Sequence, residues 1–160
     1  MKNLRHLILV GGLLGFIFLQ PDNSIAQSAG TNQIGLRLGG FSGISFRHLG
    51  VNSFGVEADF LSSYHSNWVI LSLLAEKQIP LGEGFTFDFG GGGFFGAHHD
   101  YPYDEHYDWG PSVGIEGMIG FDYYFNGIPL NAGLDLRPRF SFVNEPYWPW
   151  DAGISLHYIF

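Results

Sequence analysis

The chain has 160 residues, one domain's worth, with 18% aromatic and 14% charged residues, 24 glycines and a formal net charge of −8. An average soluble domain carries about 25% charged residues, so charge is too scarce for an ordinary water-facing surface, yet no long apolar run lies beyond the first residues. The absence of Cys excludes a disulfide framework, a thiolate metal site and acylation at Cys, and the negative balance argues against a nucleic-acid partner, which needs a basic face.

Residues 1–26 read "MKNLRHLILVGGLLGFIFLQPDNSIA". Lys2 and Arg5 form a basic start, residues 7–19 an apolar middle, and Ser24 and Ala26 the small residues of a cleavage site. The apolar stretch is short for a spanning helix, which needs about 20 residues. The expectation is a cleaved signal peptide over 1–26, an exported mature domain over 27–160, and Gln27 as its first residue. Losing Lys2, Arg5 and Asp22, a net +1, takes the formal charge from −8 to −9.

From there the chain alternates apolar and polar residues nearly everywhere, the signature of half-buried strands. Eight strands are predicted, over 32–39, 43–49, 54–62, 67–79, 85–98, 112–125, 130–142 and 152–160. Turn signals separate them at 39–43, 49–53, 63–66, 80–84 ("PLGEG") and 126–129 ("NGIP"). Asn-Gly between two alternating runs marks a hairpin. The strands over 67–79, 85–98 and 112–125 exceed the usual 5–6 residues or so and reach the about 9–11 of a membrane-spanning strand. Counting from the first strand, the even-numbered turns are short. The two longest connections, 98–111 and 143–151, are both odd-numbered, which is the transmembrane-barrel pattern of short periplasmic turns and longer extracellular loops.

The charges set the phase. Arg37, Arg47, Glu57, Asp59, Glu76, Asp88, Glu116, Asp122, Asp135, Arg137 and Arg139 all fall opposite the main apolar set of their strands. Lipid-facing Arg or Lys at the bilayer midplane costs about 2–4 kcal/mol, so these eleven are expected to form a hydrogen-bonded network in the lumen. The predicted fold is all-β: an eight-stranded antiparallel up-and-down transmembrane barrel, whose lumen is narrow enough for side chains to fill it. Inward glycines at 35, 55, 90, 92, 114, 120, 133 and 153 leave room for Arg, Tyr124 and Met118. Lys77 falls outward, near a turn, where its stem can snorkel. Two features fit less well. Pro138 sits within a strand, where a bulge or the strand's upper end is expected, and residues 69–74 are apolar on both faces.

This pattern resembles the small bacterial outer-membrane barrels of OmpX and OmpA-transmembrane-domain type. The ending "GISLHYIF" is similar to their assembly signal, with Phe160 last and Leu156 and Tyr158 at alternate positions before it. Stretches such as "RLGGFSGISFRH", "LLAEKQIPLGEGF" and "IPLNAGLDLRPRF" also resemble a group of uncharacterised bacterial outer-membrane β-barrel proteins. The resemblance spans 27–160 and implies outer-membrane lipid and lipopolysaccharide as surroundings and the barrel-assembly machinery as a transient partner. It specifies architecture and location and leaves the physiological role and the oligomeric state open.

Chemistry is sparsely signalled, and neither a cofactor nor a catalytic set is expected. The loop "HHDYPYDEHYDW" gathers His98, His99, Asp100, Asp104 and His106, a weak divalent-metal set without a known closed spacing, and its polarity also suits a solvated loop. The aromatics of "EPYWPWD" suit an interfacial girdle. "FGGGGFFG" lacks the Lys and the helix of a phosphate loop. Outer-membrane lipid A deacylases and palmitoyltransferases use Ser with His, and Ser155 and His157 share a face, but that face is the predicted lumen. The favoured expectation is therefore a non-enzymatic outer-membrane barrel with an envelope or surface-contact role. The alternatives are a lipid A-modifying enzyme and an exported ligand-binding barrel; inward charges and outward apolar residues disfavour the second.

Overall fold

A computed structural model describes residues 30–63, 67–99, 109–143 and 150–160, without the side chains at 51, 98, 99 and 109. Eight strands follow one another: β1 (Thr31–Gly39), β2 (Ser42–Leu49), β3 (Phe54–Ser63), β4 (Trp68–Gly82), β5 (Phe85–His99), β6 (Trp109–Tyr124), β7 (Leu130–Val143) and β8 (Trp150–Ile159). Each pairs with the next, and the order closes on itself as a barrel. The seam is antiparallel, with Leu36 opposite Leu156 and Gln33 opposite Ile159. Beyond it, Phe160 N–H donates to the Asn32 carbonyl at 2.8 Å and Asn32 N–H donates to the Phe160 carbonyl at 3.1 Å. The last residue of the chain is thus tied into the wall.

The connections after β2, β4 and β6 gather at one end, with both termini of the described barrel; we call this the turn end. The connections after β1, β3, β5 and β7 gather at the opposite, loop end. β4 runs to Gly82, so the turn predicted over 80–84 shrinks to Glu83 and Gly84, with φ of 53° and 87°. Positive φ at both central residues is what a tight hairpin of matching twist requires. β6 begins at Trp109 and β8 at Trp150, earlier than the alternation predicts, because strand pairing continues into what looks like loop sequence.

Pro138 causes no bulge. Glu116 pairs with Arg139 and Ile119 with Leu136 in one register, and the ladder resumes across the proline without a shift. Gly117 lies opposite, where a Cβ would come within 3.2 Å of the Pro138 ring, so the glycine makes room for it. The register shift in this pair of strands lies instead between Val113 and Gly114. The doubly apolar run also has an explanation: Ile70 and Leu74 are fully buried inside, while Leu71 and Leu73 point outward.

The outer wall is apolar. Its exposed residues include Leu36, Phe46, Phe60, Leu73, Phe95, Ile115, Ile119, Phe121, Leu134, Phe140 and Ile154. Among the described residues, Lys77 is the one charged strand residue that faces outward, and its Nζ donates to the Asn52 carbonyl beside the turn end. Aromatic rings cluster near that end: Phe85 and Tyr123 lie 4.6 Å apart, Tyr123 and Phe125 5.0 Å, and Tyr158 and Phe160 6.4 Å.

Candidate functional site

The lumen is built in layers. Side chains alternate along a strand, so every second residue of each strand meets the others inside. At the loop end Phe41, Leu61, Trp68, Ile70 and Phe94 form a buried apolar cluster. At the turn end Leu49, Tyr124 and Ile159 form a smaller one. The predicted plug therefore carries an apolar cluster toward each end, beside buried polar residues such as Ser112 and Thr31, which charge phasing alone does not reveal.

The charged residues lie between these clusters. On the loop side, Arg37 donates from Nη1 to Asp151 at 2.6 Å and to the Phe41 carbonyl at 2.9 Å, and from Nη2 to Asp135 at 2.6 Å. Arg139 donates to Glu116 at 2.9 Å and lies with Cζ 4.7 Å from the centre of the Phe41 ring, within cation–π range. Arg137 reaches Glu57, Asp59 and Asp135. Deeper in, Arg47 donates to Glu57 at 2.8 Å and to Asp122, while Oε1 of Glu76 lies 3.0 Å from its Nε. Glu57 accepts from both Arg47 and Arg137 and so joins the two halves. Fork-to-carboxylate geometry of this kind is what guanidinium groups offer and ammonium groups do not. Below Arg47, Gln33 Nε2 donates to Tyr124 Oη at 3.2 Å, which donates to Gln78 Oε1 at 2.8 Å.

All eleven residues of the predicted network face this interior; Asp135 keeps 11% of its side chain exposed. Asp151 is the member that the sequence reading missed. It looked like the end of a loop, but it shares its parity with Gly153, Ser155 and His157, and that signal was available. Two glycines explain the close packing. A Cβ on Gly153 would lie 2.6 Å from Arg37 Cζ, and one on Gly133 would lie 2.1 Å from Asp122 Oδ1.

No family model matches the chain, and no curated protein matches it in sequence. Among solved structures it is similar to the N-terminal β-barrel domain of Pseudomonas aeruginosa OprF, with a TM-score of 0.71 and 14% identity over 84% of this chain and 100% of that one. The fold is a closed eight-stranded antiparallel barrel like that domain. At this identity the likeness is one of fold.

Within this barrel, Leu156 and Phe160 point outward and exposed, with Tyr158 half-buried on the same face. Ser155 and His157 point inward. His157 is 1% exposed and neither of its ring nitrogens has a hydrogen-bond partner, so it is not hydrogen-bonded to Ser155. His98 and His99 belong to the backbone of β5. Their side chains, together with Asp100, Asp104 and His106, lie outside the described residues.

Proposed function

We propose that the protein is a non-enzymatic integral component of the bacterial outer membrane, exported with cleavage after Ala26, with an envelope or surface-contact role carried by the loop end. The supporting observation is the partition of charge. The described strands bury their guanidinium and carboxylate groups inside and present to the outside an apolar wall whose one charge, Lys77, sits beside a turn. In a bilayer, strands can span only as a closed barrel with all backbone groups paired, and the seam through Asn32 and Phe160 meets that requirement.

The dimensions agree with this reading. The outward face of β6 is apolar or aromatic from Val113 to Tyr123, about 33 Å along the strand at about 3.3 Å per residue. At the roughly 40° tilt usual in such barrels this gives about 25 Å of height, the thickness of the apolar band they present. The turn-end aromatics suit the inner interface, and the surroundings are outer-membrane phospholipid and lipopolysaccharide. Insertion would depend on transient recognition of Leu156, Tyr158 and Phe160 by the barrel-assembly machinery. With its interior packed by side chains, the barrel acts through its surface and not as an open pore.

Fractionation tests this reading. The native protein is expected to stay with outer membranes through carbonate or urea washes and to be released folded only by detergent. Folded protein recovered in buffer without detergent would contradict it. No observation favours the lipid-modifying alternative, because Ser155 and His157 face a closed interior out of reach of lipid.

A further inference from the structure

The single outward charge of the described strands, Lys77, has particular surroundings. It stands in β4 between Phe54 of β3 and Phe89 of β5, both exposed on the same outer face. Its ammonium reaches past the start of β3 to the Asn52 carbonyl in the β2–β3 turn. An ammonium carries three donors, so that contact leaves two for another acceptor. Among the described residues no carboxylate faces outward from a strand. The wall itself therefore supplies no counter-charge beside Lys77.

Toward mid-wall from Lys77 the surface drops. Ala75 is the next outward residue of β4; it pairs with Gly91, and Gly91 pairs with Gly117. Gly93 is the next outward residue of β5 after Gly91. These four carry at most a methyl group and adjoin one another across β4, β5 and β6, so they floor a shallow groove. Its rim is apolar. Val56 pairs with Ala75, Leu73 and Ile115 pair with Gly93, and Phe89 and Phe95 flank the two glycines along β5.

Packing of the barrel does not account for this floor. A Cβ on the inward Gly90 would run into the Ala75 carbonyl, and one on Gly92 into that of Leu73, so the barrel needs both glycines. On the outer face a Cβ on Gly91 would come no closer than 3.3 Å, and one on Gly93 no closer than 3.5 Å, to any atom beyond its chain neighbours. The wall has room for side chains at 91 and 93 that the sequence does not supply, directly behind its one cation.

We propose that this face binds one glycerophospholipid of the adjoining leaflet, with its phosphodiester on Lys77 and one acyl chain along the groove of Ala75, Gly91, Gly93 and Gly117. The inference rests on the reading of the wall as bilayer-facing. The ammonium donates charge-assisted hydrogen bonds to the non-bridging phosphate oxygens, which supply the counter-charge that the wall lacks. Tyr123 and Tyr158 face outward at the same end, as aromatic hydroxyls do at headgroup level. The acyl chain fills the groove and recovers the dispersion contacts that an empty furrow forgoes.

The test folds the full-length mature protein in detergent, adds phosphatidylglycerol, exchanges into lipid-free detergent and counts the lipid carried by the intact barrel in native mass spectrometry. The wild type is expected to retain a single lipid. Lys77→Gln should lose it, and so should Gly91→Val with Gly93→Val, which fills the groove and leaves the ammonium intact. Diacylglycerol, which has the chains without the phosphate, should not be retained. No retained phosphatidylglycerol in the wild type, retention by either variant, or equal retention of diacylglycerol would each overturn the proposal. If a variant does not fold, the wild type decides. Phosphatidylglycerol spin-labelled at mid-chain should broaden the Gly91 and Gly93 amide resonances more than that of Leu36, mid-strand on the opposite wall; equal broadening overturns the site. A barrel that stays folded in buffer without detergent would overturn the bilayer reading itself, whereas a detergent-dependent barrel that retains no lipid overturns this site alone.

Discussion

Arg37 on the first strand donates to Asp151 at the start of the last strand at 2.6 Å, so an ion pair spans the seam of the barrel from inside. The same carboxylate accepts the Phe41 backbone N–H at 3.3 Å, which ties the β1–β2 connection to β8. Closure therefore rests on buried charge as well as on the Asn32–Phe160 backbone pair.

Removing that carboxylate should be costly. Breaking a buried pair by deleting one partner costs about 3–5 kcal/mol, and Asp135, which still holds Arg37, places Asp151→Ala near the lower end, at about 3 kcal/mol. Asp151→Asn should lose less, because the amide oxygen can still accept from Phe41. Urea unfolding of the lipid-reconstituted barrel measures both. An unchanged midpoint for Asp151→Ala would show that the seam does not depend on the pair.

Glycine positions offer a matched comparison. Gly153→Ala places a methyl group against the Arg37 guanidinium, 2.6 Å from Cζ, and must displace it. Gly93→Ala adds a methyl group on the outer face with its nearest neighbour at 3.5 Å, an ordinary contact. The first variant should fold more slowly and unfold at lower urea, while the second should match the wild type. Equal behaviour of the two would contradict the lumen geometry.

On the outer wall, depth should matter. Ile119→Arg lies near mid-strand and should cost about 2–4 kcal/mol in lipid, whereas Leu81→Arg, near the turn end, should cost about 0–1 kcal/mol. Both residues are half or more exposed in the barrel itself, so in an aqueous setting neither substitution should matter. Equal, small effects of the two in lipid vesicles would argue that the wall does not meet a bilayer.

The packed lumen predicts electrical silence. In planar bilayers the folded wild type should pass no steady current. Phe94→Ala removes one member of the loop-end cluster and should lower stability by about 3–5 kcal/mol without opening a path, because the ion-pair layers and the Leu49–Tyr124–Ile159 cluster still block it. A steady current through the wild type would contradict the sealed interior.

Much of this was legible in the sequence because, in the proposed bilayer setting, lipid enforces phase. A guanidinium on the outer wall is so unfavourable that Arg37, Arg47, Arg137 and Arg139 each reveal which face of their strand is inside. The apolar clusters were not legible on the same logic. Phe41, Leu61 and Phe94 are as apolar as the outer-wall residues, and only closure of the barrel shows which side chains pack inside. Asp151 was missed because Trp150 beside it resembles a loop residue, whereas the pairing of Pro138 with Trp150 already belongs to β8. Pro138 looked like a disruption because the glycine that accommodates it, Gly117, is 21 positions away in the sequence.

The central claim is that the charged face points into a closed lumen and the apolar face into lipid. The chain has no Cys, so single spin labels can be placed at will, and β6 provides the series Ile115→Cys, Met118→Cys, Ile119→Cys and Phe121→Cys. In lipid vesicles, labels at 115, 119 and 121 should collide freely with dissolved oxygen and hardly at all with a water-soluble nickel chelate, while the label at 118 should be shielded from both. Labels at 115, 119 and 121 that meet the nickel chelate as readily as oxygen would contradict the account.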